Sequence, residues 1–203
     1  ADLLQAEHSA LNTLANNGIA AAQSNMVMQE QRTFLSCERF DRVGTLGRKG
    51  LVSLRMAEME FVDKPAEWPV IAKHLLQDKL ISAEDADTIA VIWCFGRLIA
   101  NTDMHGGNLS FYYAGEVELT LAPVYDMLPM AFAPLRSGAM AFSHTLTITP
   151  VAQGKHWRQA YDMAEQFWAK LLTNTDISEE FKSIARTMQL ELQAKKNLIE
   201  RMA

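Results

Sequence analysis

The octapeptide Asn101-Thr102-Asp103-Met104-His105-Gly106-Gly107-Asn108 follows directly on residues 86–100, a run that is apolar almost all round. A helix without a polar face is a buried one, and Ser82 with Asp85 three positions on predicts a capped start for it. The octapeptide holds too many turn formers to continue that helix. A buried helix therefore delivers a polar loop. Beyond it, 109–113 and 117–121, joined by Ala114-Gly115-Glu116, predict a hairpin. Pro123 closes the hairpin and returns the chain to Val124-Tyr125-Asp126.

Taken singly, Asp103 and Asn108 are turn formers and Asp126 is the start of a turn. Taken together they are the kit of phosphoryl transfer. One Asp accepts the proton of an attacking hydroxyl, and an Asn and a second Asp hold magnesium against nucleotide phosphates. Asp103 and Asn108 have the D-x-x-x-x-N spacing of the protein-kinase catalytic loop, and Asp126 follows a hairpin, as the metal-binding Asp of kinases does. His105 stands where many kinases carry lysine. His144 and the charges of Arg39 and Arg42 are given structural or solvated roles.

Near the start of the chain, Leu3, Ala6, Ala10, Leu11 and Leu14 have helical spacing, and Asn17-Gly18 ends that helix. Segments 25–29 and 33–38, separated by Glu30-Gln31-Arg32, predict a hairpin running into Glu38-Arg39-Phe40-Asp41-Arg42. Gly44, Gly47 and Gly50, with Arg48 and Lys49, predict a mobile loop at 43–50. Residues 70–76 predict a short helix, and 127–150 loop and short helix. The last third is helical scaffold: 156–172, then Phe181, Ile184, Ala185, Met188, Leu192 and Ile199 on one face, with Ser178 as cap. The fold class is mainly α with small β-hairpins, α+β, in a single unit over 1–203.

The 203 residues are 49% hydrophobic and 21% charged, a composition that excludes disorder and collagen-like structure. Nineteen basic against 24 acidic residues leave a net charge of −5, which argues against direct nucleic-acid binding by this segment. No apolar run approaches bilayer length, so no membrane is expected. Cys37 and Cys94 lie apart in apolar surroundings, predicting two buried thiols and a reducing, cytoplasmic compartment. Residue 1 opens a helix already in progress, as expected for a piece of a longer protein or a processed product.

The string 101–110 together with Leu121-Ala122-Pro123-Val124-Tyr125-Asp126 resembles the catalytic and metal-binding segments of the HipA-like kinases, bacterial serine/threonine kinases best known as toxins of toxin–antitoxin pairs. Cys37-Glu38-Arg39-Phe40-Asp41-Arg42 resembles the hinge of that family, written V-E-R-F-D-R in its commonest form. The resemblance implies a protein-kinase-like large lobe of HipA type, with hinge 37–42, catalytic loop 101–108, metal loop 123–127 and scaffold 156–202. It implies ATP and Mg2+ as cofactors and a protein as substrate. Asp103 is then the base, Asn108 and Asp126 the magnesium ligands, and His105 a neighbour of the γ-phosphate. Main-chain groups of Glu38 and Phe40 meet adenine, Asp41 lies near the ribose, and Glu7 matches the helix glutamate that pairs with a nucleotide-binding lysine.

Two departures follow. Gly106-Gly107 replaces the Ala-Lys pair of many relatives, removing a cation. The small lobe, with its phosphate loop and strand lysine, is absent from these residues, and Lys49 lies after the hinge. Because transfer depends on positioning and electrostatics, the segment alone is expected to be catalytically poor and a complete protein active. Such a protein is expected to work with a helix-turn-helix antitoxin or an N-terminal DNA-binding domain. The alternative from another class is a ligand- or partner-binding lobe of a helix-turn-helix transcriptional regulator. A weaker one is a metal-dependent hydrolase using Asp103, His105 and Asp126.

Overall fold

The computed structural model describes residues 1–30, 32–62, 64–115, 118–135 and 138–202. Six helices carry the mass of the chain: α1 Asp2–Asn16, α2 Leu54–Phe61, α3 Trp68–Gln77, α4 Ala83–Leu98, α5 Gly154–Thr173 and α6 Glu179–Glu200. Three small antiparallel sheets accompany them. Strands β1 Ser24–Gln29 and β2 Arg32–Cys37 form a hairpin; β3 Arg42–Val43 pairs with β4 Gly47–Arg48; and β5 Gly50–Ser53, β6 Ser110–Tyr113 and β7 Thr120–Leu121 make a three-stranded sheet in that order. This is the mixed α+β architecture that the sequence predicts.

The core is built around α4. Ser82 caps it by accepting the Asp85 amide at 3.0 Å, and every residue from Ile89 to Gly96, with Leu98, is buried. Helices α3 and α5 enclose it. Trp93 meets Trp157 edge-on at 5.7 Å and Phe95 meets Phe167 at 6.1 Å, geometries that add to the burial itself. Trp168 donates its indole N–H to the Leu98 carbonyl at 3.2 Å, satisfying one of the acceptors that a helix end leaves open. Helix α6 lays Phe181, Ile184, Ala185, Met188, Leu192 and Ile199 against α5, and Ser178 caps it through the Phe181 amide.

Several expectations are corrected. The glycine-rich stretch 43–50 is not one loop but the β3–β4 hairpin leading into β5, held by the Lys49 amide on the Asp41 carbonyl at 2.8 Å. Helix α2, capped by Ser53 on the Met56 amide, stands where no element was expected. Cys37 is exposed at the end of β2, while Cys94 is buried in α4 as expected. The Asp85 carboxylate accepts from the Leu121 amide at 3.4 Å and so ties α4 to β7. In the hairpins, Gln31, Glu116 and Val117 lie outside the described residues. Among the described residues no helix is long and apolar enough to cross a membrane.

Candidate active site

Helix α4 ends in a tight reversal. Ala100 takes a left-handed φ of +60° and the Asn101 amide returns to the Gly96 carbonyl at 2.8 Å. Asn101, itself buried, then holds the Asp103 amide through its side-chain oxygen at 3.0 Å. The loop closes on itself: the Asn108 side-chain amide donates to the Asp103 carbonyl and the Asn108 main-chain amide to the His105 carbonyl, both at 3.0 Å. Two outside bonds fix its height. The Arg55 amide at the start of α2 donates to the Gly106 carbonyl at 2.8 Å, and the Leu54 amide to the Leu109 carbonyl at 2.8 Å.

Asp126 arrives from the other side. The Val124 amide donates to the Ala20 carbonyl and the Ala22 amide to the Val124 carbonyl, at 2.9 and 2.8 Å, so the segment is strapped to the chain leaving α1. Asp126 adopts a φ of +54°, a region that L-residues enter only when neighbours hold them there. Burial raises the pKa of its carboxyl, the negative charge of Asp103 raises it further, and His105 and a hydrogen bond with the Asn108 side chain pull it back. Asp126 therefore lies beside the Asn108 side chain and near enough to Asp103 to feel its charge. Aspartate and asparagine side chains carry the oxygen donors that a hard divalent cation takes; here the Asn108 side-chain nitrogen is the atom that bonds the Asp103 carbonyl.

Glu7 of α1 joins this group. Its pKa is pushed up to about 7, first by burial and then by the charge of Asp126, with the Asp126 backbone amide acting the other way. His105 points its Nε2 toward Asp103 Oδ1 at 4.0 Å, and its Nδ1 accepts the Gly107 amide at 3.0 Å. On the His105 side of the loop a cavity of about 320 Å³ opens, lined among others by Trp68, Arg97, Thr102 and Met104.

The hinge segment reaches the same cluster through aromatic rings. Phe40 lies 5.7 Å from Tyr125 and edge-on to Tyr112 at 6.2 Å, and the Tyr112 hydroxyl donates to the Phe40 carbonyl at 3.2 Å. The Glu38 amide is committed to the Gln23 carbonyl at 2.8 Å. The Glu38 carbonyl and the Phe40 amide make no hydrogen bond among the described residues. They present one acceptor and one donor, the pair an adenine edge requires. Asp41 is buried, with both carboxylate oxygens held by Arg39 at 2.7 Å and Arg42 at 3.6 Å. These neighbours hold its carboxyl below the usual range, Arg39 first. The two arginines are thus partners of Asp41 and not free solvated charges.

Among the described residues no three His, Cys, Asp or Glu side chains gather into a metal-holding group. Tyr125 is the site residue that sequence reasoning passed over; its place immediately before Asp126 was the available signal.

The chain matches a family model described as the HipA-like C-terminal domain over residues 1–200. It is 40% identical over 207 residues to Toxin YjjJ of Escherichia coli K12, covering 99% of this chain and 46% of that protein. Two solved structures resemble it. One is the Shewanella oneidensis HipA in a complex with HipB and operator DNA, at TM-score 0.61 and 16% identity over 98% of this chain and 55% of that one. The other is the Helicobacter pylori proinflammatory kinase CtkA, at TM-score 0.66 and 15% identity over 96% of this chain and 84% of that one. These likenesses establish a kinase-like fold. The chain spans about half the length of the curated relative it matches.

Proposed function

The chain belongs to the family of HipA-like C-terminal domains, and from that premise we propose that it is the large lobe of an ATP- and magnesium-dependent serine/threonine protein kinase. What supports this reading is Asn108, whose side chain bonds the Asp103 carbonyl and neighbours Asp126 in the loop that leaves a buried helix. Magnesium held there would supply positive charge that offsets that of the ATP phosphates. Asn108 and Asp126 would hold it. Asp103, half-exposed, would take the proton of a substrate hydroxyl, and His105 beside it would face the γ-phosphate. The Glu38 carbonyl and the Phe40 amide would receive adenine. Asp41 would reach the ribose by releasing one of its two bonds to Arg39.

Two features are consistent with an upstream half completing the site. Strand β2 pairs only with β1 among the described residues, and Val27, Met28 and Phe34 of that hairpin are exposed. Glu7 sits beside Asp126 with its pKa raised, a position that a lysine from a further strand would relieve. Without that half the phosphates lose much of their positioning, so the chain alone transfers phosphate poorly. The complete protein acts in the cytoplasm on a protein substrate, as the toxin of a toxin–antitoxin pair. Its partner is a helix-turn-helix antitoxin, or a DNA-binding domain upstream in the same chain. The net charge of −5 argues against direct DNA contact by this lobe.

Titration calorimetry with a non-hydrolysable ATP analogue tests the reading. The full-length protein binds it with magnesium-dependent affinity, and Asp126→Asn abolishes the magnesium dependence. Binding that ignores magnesium in both proteins overturns the assignment.

A further inference from the structure

The hydroxyl of Tyr125 donates to the Gly107 carbonyl at 2.7 Å and lies 2.7 Å from Ser110 Oγ. A carbonyl can only accept, so the phenolic proton is committed to Gly107 and Ser110 must donate to the phenol oxygen. The result is a directed chain, Ser110 O–H to Tyr125 O–H to Gly107 C=O. It joins strand β6, the metal segment and the catalytic loop.

The ring of Tyr125 does a second thing. It lies 5.7 Å from Phe40 at an interplanar angle of 33°, and Phe40 also meets Tyr112 edge-on at 6.2 Å. Gly107 stands between His105, whose Nδ1 takes the Gly107 amide, and Asn108, whose amide returns to the His105 carbonyl. Displacing the Gly107 carbonyl therefore moves both flanking site residues. Asp126, next in sequence, depends on its neighbours to stay at positive φ.

We propose that Tyr125 is a positioning residue which sets the catalytic loop against the hinge, so that occupation of the hinge by a nucleoside orders His105 and Asn108. This rests on the kinase reading, and it adds a coupling that neither motif contains alone. Phe at position 125 would keep the ring contact with Phe40 and remove the bond to Gly107.

Hydrogen exchange on the full-length protein tests the coupling, with adenosine as the hinge probe. In the unliganded protein Tyr125→Phe raises exchange at the 107–109 amides roughly tenfold, the loss of one well-made hydrogen bond, and leaves α5 unchanged. Ser110→Ala, which spares the Gly107 bond, has a smaller effect. Adenosine protects 107–109 in the wild type but not in Tyr125→Phe, though both bind it; in turnover kcat falls while KM for ATP moves little. Unchanged exchange at 107–109 overturns the proposal, as does faster exchange spread equally through α4 and α5. A wild-type protein that binds no adenosine overturns the kinase reading instead, and the unliganded comparison still decides the role of Tyr125.

Discussion

Glu7 on the first helix lies beside Asp126 of the metal segment, and its carboxyl pKa is pushed up to about 7, first by burial and then by the charge of Asp126. The packing of α1 against α5 and the strap from Ala20 and Ala22 to Val124 bring them together.

This pair makes stability fall with rising pH. The folded protein keeps a proton on Glu7 that the unfolded chain releases from about pH 4.5 upward, so the stability present below that value is lost as pH rises to about 7. The site is partly open to solvent, so the expected loss is roughly 1–2 kcal/mol and not the ~3 kcal/mol of the unscreened shift. Urea unfolding at pH 5 and pH 8 measures it. Glu7→Gln should flatten the difference; an unchanged slope would show that Glu7 is not the group responsible.

The two glycines of the catalytic loop should respond unequally. A Cβ at Gly106 would lie 2.8 Å from the Arg55 amide nitrogen and 3.0 Å from its Cα, both backbone atoms. At Gly107 it would meet only the His105 ring, at 2.9 Å, and a ring can swing. Gly106→Ala is therefore expected to destabilise by about 1–3 kcal/mol, as overpacking does, and to shift α2 away from the loop. Gly107→Ala should leave the melting temperature nearly unchanged while displacing His105, visible in its imidazole NMR signals. Equal effects on stability would contradict the geometry.

The thiols give a third prediction. Cys37 is exposed but its pKa is raised, first by burial of part of its surroundings and then by the charge of Glu7. Alkylation at pH 8 should therefore label Cys37 slowly and leave buried Cys94 untouched until the chain unfolds. Glu7→Gln should speed the labelling of Cys37. Mass spectrometry of the labelled peptides reads both, and labelling of Cys94 in the folded protein would mean that α4 is not enclosed as described.

What the sequence disclosed and what it hid divide on physical lines. Helix α4 was legible because a run apolar on every side has one stable home, and its Ser82 cap is local chemistry. Helices α1, α5 and α6 were legible from one-sided periodicity. Strands β3 and β4, at two residues each, are too short to carry a period. Helix α2 is eight residues with two Met and two Glu, only two of the eight buried, and it owes its place to the bonds with Gly106 and Leu109. Cys37 looks buried by its neighbours in sequence, but the last residue of a two-stranded hairpin has nothing above it. At the site, the spacing of Asp103 and Asn108 was visible. The raised pKa of Glu7, the arginine clasp on Asp41 and the bond from Tyr125 to Gly107 depend on distant segments meeting, which no local pattern records.

Transfer of the γ-phosphate of ATP to protein by the full-length protein in the presence of magnesium decides the kinase reading. Asp103→Asn and Asp126→Asn are each expected to lower the rate by at least about a hundredfold without changing the fold seen by circular dichroism. Transfer at the wild-type rate in both variants would contradict the account.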